Sequence, residues 1–139
     1  MVFLIKDDFK TQVKETILNN IIEGAYQLLD AAEAQGIAQM TSYLAVRYDV
    51  PQIFNKQDTQ RNPQVMMVLV DLCLYHLYSR IQPGQVPDLR QNRYDDAIKW
   101  LEGVAAGKFL PDLPLPTGTE TGEKYDVQYG SRPARNPYY

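Results

Sequence analysis

Cys73 and His76 are the only side chains in this sequence whose types and spacing could form a metal site or a thiol nucleophile. Three residues apart on a helix, they would share one face. A structural zinc site needs four ligands, and the chain has one cysteine and one histidine. A reactive thiol needs an accessible, electropositive setting, whereas Cys73 lies in an apolar run. We therefore expect a buried thiol, no metal and no cofactor.

Two pairs of adjacent acids, Asp7-Asp8 and Asp95-Asp96, are the only other candidates for chemistry. General acid and base catalysis needs two carboxylates that converge on one cleft in different environments. Neighbouring residues on a helix point about 100° apart, so neither pair converges by itself. Glycine-rich phosphate loops and the Gly-x-Ser-x-Gly nucleophile pattern do not occur in the sequence. The sequence therefore predicts helix caps and solvated acids, and it does not predict an enzyme.

The last part of the chain, residues 110–139, differs in composition from the rest. It holds five prolines and three glycines in 30 residues, against four and five in the first 109. Such a segment cannot pack a core of its own. Its tyrosines are either merely solvated or form a docking arm, because tyrosine anchors well at interfaces. We favour the arm, with these candidate partner-binding residues: Pro114, Pro116, Tyr125, Tyr129, Tyr138 and Tyr139.

Residues 1–109 are predicted to form one helical domain. Asp7 or Asp8 can cap a short first helix, and a second helical stretch follows over residues 14–22. Apolar residues then recur at three- and four-residue steps from about 23 to 46, which predicts a long helix. Gly36 is a weak point in it, costing about 1 kcal/mol relative to alanine. We expect the helix to continue through this glycine.

Two prolines organise the middle of the chain. Pro51 is expected to end the long helix, since the residue before a proline avoids helical geometry. Residues 52–62 are predicted to be a loop pinned by Ile53 and Phe54. Asn62-Pro63 is the sharpest helix start, as asparagine caps well and proline suits the first turn. The helix that follows is apolar around its whole circumference, which is typical of a core helix.

The last predicted helix carries a one-sided apolar stripe and ends near Gly107, a suitable C-terminal cap. Asp95 and Lys99 are expected to pair at i,i+4 on its outer side. The predicted fold is therefore all-α, a small bundle of about four or five helices with an extended, irregular C-terminal arm. The stripe consists of Leu89, Tyr94, Ala97, Ile98, Leu101, Val104 and Ala105.

The overall charge and the apolar segments exclude several classes of protein. The net charge of −3, with basic and acidic residues interleaved, does not suit binding through phosphate neutralisation. One cysteine cannot form an intramolecular disulfide. The N-terminal residues lack the basic region and cleavage site of a signal peptide. The longest apolar stretch, residues 65–78, is shorter than the roughly 20 residues that cross a bilayer, so no membrane contact is expected.

Three stretches together resemble a known family. They are Tyr43-Leu-Ala-Val-Arg-Tyr48 closing a long helix, the apolar helix running from Pro63 to Tyr78, and Arg93-Tyr-Asp-Asp-Ala-Ile-Lys-Trp-Leu-Glu102 followed by Gly107. Their order and spacing are similar to those of the Mu-like phage head–tail connector (adaptor) proteins, over roughly residues 5–110. The third stretch is the most specific of the three, and none is a catalytic signature.

The resemblance implies a structural protein of a phage or prophage virion. It would be made in the bacterial host cytoplasm and reside in the neck, at the head–tail interface. There it would form a homo-oligomeric ring, typically of twelve copies, that contacts the portal protein above and tail or neck proteins below. Genome DNA would pass through the channel without specific binding. The family transfers no residue-level site, and the long Pro- and Tyr-containing arm departs from its pattern.

Two other classes of function remain open at this point. The chain could be a small helical protein-binding or regulatory module whose tail captures a partner. It could also be a small enzyme of an unfamiliar type, which would require convergent titratable groups in a deep pocket. A ring distinguishes the connector from a module that forms a 1:1 complex with its partner.

Overall fold

The computed structural model describes residues 1–81 and 84–116, which fold into helices without any strand. The all-α prediction is confirmed. The two 3-10 helices span Lys6–Thr11 and Asp58–Gln60. The five α-helices are α1 (Glu15–Ile22), α2 (Gln27–Leu44), α3 (Val50–Phe54), α4 (Pro63–Ile81) and α5 (Asp88–Ala105).

Helix α4 is the central element and packs against α1, α2 and α5. Its start is capped as predicted, since the Asn62 side-chain oxygen accepts hydrogen bonds from the amides of Gln64 (2.9 Å) and Val65 (3.1 Å). Half the helix is buried, including an uninterrupted run from position 68 to position 74. Because consecutive residues cover every side of a helix, this run shows that neighbours enclose α4.

Helix α2 runs unbroken through Gly36, as predicted. A β-carbon at Gly36 would lie 2.6 Å from the Leu69 side chain on α4, too close for an undisturbed contact. The glycine therefore lets the two long helices approach each other, and this packing offsets its poor helix propensity.

The prediction of a loop at residues 52–62 is wrong at its start. Val50–Phe54 form α3, capped by Asp49, whose carboxylate accepts the Gln52 amide at 3.3 Å. Pro51 sits in the first turn of this new helix, where its missing amide costs no hydrogen bond. Helix α2 has already ended at Leu44. Ile53 and Phe54 are buried, so their expected anchoring role is confirmed.

Helix α5 shows two corrections to the predicted stripe. Leu89 is 60% exposed, and Arg90 takes the inward position in the first turn, with a guanidinium nitrogen 3.5 Å from the Gln12 carbonyl. The buried positions of α5 are 90, 97, 101, 103 and 104, and Leu89 lies about 100° away from Arg90. Asp95 accepts a hydrogen bond from Gln91 (3.1 Å), and the described residues show no Asp95–Lys99 ion pair.

The end of α5 is capped as predicted. Gly107 has a φ of 83°, and the amides of Gly107 and Lys108 donate to the carbonyls of Val104 (3.1 Å) and Gly103 (2.8 Å). This pair of bonds is the Schellman motif, in which glycine readily takes the left-handed conformation. The described chain then leaves the bundle as the strap, which we define as residues 111–116.

The strap lies against the N-terminal ends of α3 and α4. The Pro114 carbonyl accepts the Asp49 amide at 2.8 Å, and the Asp112 carbonyl accepts the Asn62 side-chain amide at 3.4 Å. Leu113, between these two anchors, is buried. The first residues of the predicted arm are thus held by the bundle.

Candidate assembly surface

The Cys73 and His76 side chains occupy different settings on α4. Cys73 is fully buried, and burial raises the pKa of its thiol well above the usual range. His76 is half-buried at the edge of the core, with Nε2 3.2 Å from the Gln39 side-chain oxygen, and burial lowers the pKa of its imidazole. Within the described ranges, no three His, Cys, Asp or Glu side chains converge as metal ligands would.

The two acid pairs have structural and solvated surroundings. Asp8 accepts the Ile5 amide at 2.8 Å and pairs with Arg61 at 2.7 Å, so it supports the first 3-10 helix from inside the first turn. Asp7 pairs with Lys10 at 3.0 Å on the surface. Asp95 and Asp96 are both exposed. None of these four acids lines the groove described below.

After the exposed Asp30 in its first turn, which pairs with the N-terminal amine, the outward side of α2 is uncharged. Its exposed positions lie within roughly a third of the helix circumference, at about 100° per residue. Between positions 31 and 46 the only charged residue is Glu33, which is buried. We define the α2 face by its exposed residues: Ala31, Ala34, Gln35, Ala38, Ser42 and Ala45.

Exposed apolar side chains collect where α2 and α5 end. The Arg47 Nε atom donates to the Ala105 carbonyl at 3.3 Å, which brings the two helix ends together. The hydrogen bond between Asp49 and Pro114 adds the strap to the same end of the bundle. We define the apolar end by four exposed residues beside these contacts: Val46, Phe109, Leu110 and Leu115. It adjoins the α2 face, because Val46 follows Ala45 directly.

Of the predicted partner-binding residues, Pro114 and Pro116 lie in the strap, and both are half-buried. The other four, Tyr125, Tyr129, Tyr138 and Tyr139, lie outside the described residues. Beside Pro114 runs a groove of about 460 Å³ between the strap, α3 and the start of α4. We call it the strap groove, and its lining includes Ile53, Lys56, Gln60, Asn62, Leu113 and Pro114.

Comparison with known proteins identifies the family. The family model described as bacteriophage Mu, Gp36 matches residues 1–128, which is nearly the whole chain. The chain belongs to the bacteriophage Mu Gp36 family. No curated protein and no solved structure matched it. The three stretches that suggested a Mu-like phage protein, at residues 43–48, 63–78 and 93–102, all fall within the matched range.

In this member of the Mu Gp36 family, the most specific of those stretches ties helices together. Arg93 on α5 holds Asp71 on α4 through two hydrogen bonds of 3.0 and 2.9 Å. Burial raises the pKa of the Asp71 carboxyl, and the bonds from Arg93 partly oppose that shift. The Tyr94 ring stacks on the Tyr75 ring of α4, with centroids 3.9 Å apart. The Tyr94 hydroxyl accepts a hydrogen bond of 2.8 Å from the Gln39 side-chain amide of α2.

Sequence reasoning missed the Asp71–Arg93 pair. Asp71 is a lone carboxylate inside an apolar helix. A buried charge requires a partner, so the sequence did indicate that a partner exists. The partner itself lay 22 residues further along the chain, and no local pattern identified it.

A second buried carboxylate, Glu33, holds the N-terminal segment of this chain. Its two oxygens accept the amides of Val2 (2.7 Å), Phe3 (3.0 Å) and Leu4 (2.6 Å). The Phe3 ring packs edge-on against Phe54, with centroids 5.1 Å apart. These three hydrogen bonds explain how the Glu33 carboxylate can be buried on the inner side of α2. No helix in the described part of the chain is long and apolar enough to cross a membrane.

Proposed function

We propose that the chain is a head–tail connector (adaptor) subunit of the phage neck. Copies assemble through their helical bodies into a ring under the portal, possibly of twelve, which joins the capsid to the tail around the DNA channel. Its partners are further copies, the portal protein and tail or neck proteins. The subunit is made in the bacterial host cytoplasm, resides in the virion and catalyses no reaction.

The α2 face is the observation that carries this proposal. A helix that faces water normally shows charged residues on its outer side. The α2 face has none, and small residues cover most of it. Small, uncharged side chains let a second helix approach closely without burying an unpaired charge. Such a face suits contact with another protein better than contact with solvent.

The apolar end extends this surface toward the strap. Leu110 is 77% exposed, and Val46, Phe109 and Leu115 are also exposed. A group of neighbouring exposed apolar side chains is typical of a protein–protein contact site. In a ring, the α2 face would meet an adjacent copy, and the apolar end would meet that copy or the portal. Membership of the Mu Gp36 family supports the phage context of this assembly.

The charge of the chain suits passage of DNA through the ring. With 17 acidic and 14 basic residues, the chain does not favour tight phosphate binding, which would hold DNA in place. The basic residues Lys10, Arg61 and Arg93 are engaged with carboxylates of the same chain. We therefore expect DNA to pass through the channel without specific binding.

Electron microscopy of the purified chain, alone and mixed with its portal protein, tests this proposal. We expect closed rings of uniform diameter, either in solution or only on the portal. The control is the portal without the chain. Particles that stay monomeric at high concentration and never bind the portal would contradict the proposal.

The strap groove favours one second candidate, a small helical module that captures a partner. It is a concave site of mixed polarity on a small bundle. Such a module would co-purify with one small host protein in a 1:1 complex, would show no affinity for portal and would form no ring. Light scattering coupled to size-exclusion chromatography distinguishes the two candidates.

A further inference from the structure

The strap groove has the chemistry of a site for tyrosine side chains. Ile53, Leu113 and Pro114 give it an apolar lining, while Gln52 and Gln60 bring amide groups that donate and accept hydrogen bonds. A tyrosine needs such a mixture, because its ring is apolar and its hydroxyl seeks a polar partner. The groove volume of about 460 Å³ lies in the range of sites that hold small ligands or side chains.

The groove also contains a positive charge without a counterion in the described structure. Lys56 lines it and forms no ion pair or hydrogen bond with any described residue. Arg61, which also lines the groove, is engaged by Asp8 at 2.7 Å and by the Phe3 carbonyl at 2.9 Å. Asp112 also lines the groove, but its carboxylate forms no ion pair with Lys56 in the described structure, so Lys56 stays available to a carboxylate brought into the groove.

We propose that the strap groove binds residues 125–129 of an adjacent copy of the chain, an inference that rests on the proposed ring. The sequence of this segment, Tyr-Asp-Val-Gln-Tyr, places the Asp126 carboxylate between two tyrosines. Its composition thus matches the apolar lining, the amides and the unpaired Lys56. The same segment contains Tyr125 and Tyr129, two of the residues that the sequence suggested for partner binding.

The position of the strap favours an adjacent copy over the same copy. The strap forms one wall of the groove and is anchored at Asp112 and Pro114, so the chain has run past the groove by Pro116. Eight residues separate Pro116 from Tyr125, a reach of about 26 Å when extended. Return to the same groove requires this link to fold back over the strap. A ring holds the next groove within reach at high effective concentration.

Pairwise disulfide formation between two full-length chains tests the inference. Both chains carry Cys73→Ala; one also carries Gln60→Cys in the groove, and the other carries Gln128→Cys, which keeps both tyrosines and Asp126. After mixing and mild oxidation, we expect the mixed disulfide at no less than about five times the yield of a control pair. The control replaces Gln60→Cys with Asn20→Cys, at an exposed position on α1 outside the groove. Equal yields from both pairs would overturn the inference.

A single chain that carries both Gln60→Cys and Gln128→Cys separates the two arrangements. Disulfides between chains support the proposal, and disulfides only within one chain contradict it. Charge reversal adds a second readout, since Lys56→Glu should lower the mixed disulfide up to about fivefold and Asp126→Lys should restore it. Unchanged yield with Lys56→Glu would show that this charge pair does not form.

The same experiment distinguishes a failure of this inference from a failure of the proposed function. Rings without the disulfide between positions 60 and 128 would overturn the groove assignment and leave the connector intact. The mixed disulfide in pairs of chains that never close into a ring would support the groove and overturn the ring.

Discussion

The two sides of helix α2 are built from different residues. The inner side carries large apolar groups such as Leu29, Met40 and Leu44, all but fully buried, together with the buried carboxylate Glu33. The outer α2 face carries small, uncharged residues that remain exposed. Both sides avoid unpaired charge, although only the inner side is covered in the single chain. Under the proposed assembly, burial within the chain and contact with another copy would impose the same restriction on charge.

The largest contrast comes from placing one charge on each side of α2. Met40→Glu buries a carboxylate without a partner and should destabilise the fold by about 4 kcal/mol or more. Ala38→Glu, two residues away on the α2 face, should change the free energy of unfolding by only about 0.5 kcal/mol. Urea denaturation of the monomer measures both values. Similar costs for the two variants would mean that the two sides of α2 have been assigned incorrectly.

Glu33 is predicted to be the next most sensitive position. Glu33→Ala removes the acceptor of three backbone amides, two of which belong to the buried residues Phe3 and Leu4, and should cost about 2 to 4 kcal/mol. The matched control is Asp30→Ala, whose exposed carboxylate pairs with the N-terminal amine and should contribute about 1 kcal/mol or less. Amide exchange at residues 2–4 should accelerate only in Glu33→Ala. Unaltered exchange there would exclude this role for the carboxylate.

Much of this fold could be predicted from the sequence because its signals are local. The Asn62 cap, the apolar run of α4 and the Gly107 cap each depend on residues adjacent in the chain. The errors arose where a distant contact decided the outcome. Leu89 fits the apolar periodicity, yet Arg90 takes the inward position through a contact with Gln12. The sequence did not predict α3, because five residues are too few to show a helical periodicity.

The candidate surface was harder to predict than the fold. An alanine-rich helix is compatible with burial on any side, and only the folded bundle shows which of its alanines remain exposed. The strap groove likewise joins residues 52–63 to residues 112–114, segments that no sequence pattern connects. The tyrosines of the arm were proposed from composition alone, and they lie outside the described residues.

A smaller effect is expected from pH at the inner edge of the bundle. Burial lowers the pKa of His76, so the folded state binds fewer protons than the unfolded chain as pH falls below about 7. Stability should therefore decrease as pH falls from about 7.5 through the ordinary histidine pKa of about 6.5. His76→Gln should lose this part of the pH dependence, as measured by thermal melting against pH. If the melting temperature of the wild type, relative to that of His76→Gln, rose as the pH fell, the burial of His76 would be contradicted.

Truncation should have the smallest effect on the stability of the bundle. Deletion of residues 117–139 leaves the described core and the strap intact, so the melting temperature of the monomer should not change. Assembly should weaken, because the predicted arm is lost. A large drop in the melting temperature would show that the arm belongs to the core. Unweakened assembly would exclude the arm from the interface.

Placing charges on the α2 face tests directly whether this face joins copies of the chain. Native mass spectrometry would compare the wild type, the double variant Ala38→Glu/Ser42→Glu and the control Asn92→Glu on the exposed side of α5, with portal protein present. We expect rings for the wild type and the control and no rings for the double variant, with melting temperatures that differ by no more than a few degrees. Normal rings from the double variant would contradict this role of the α2 face.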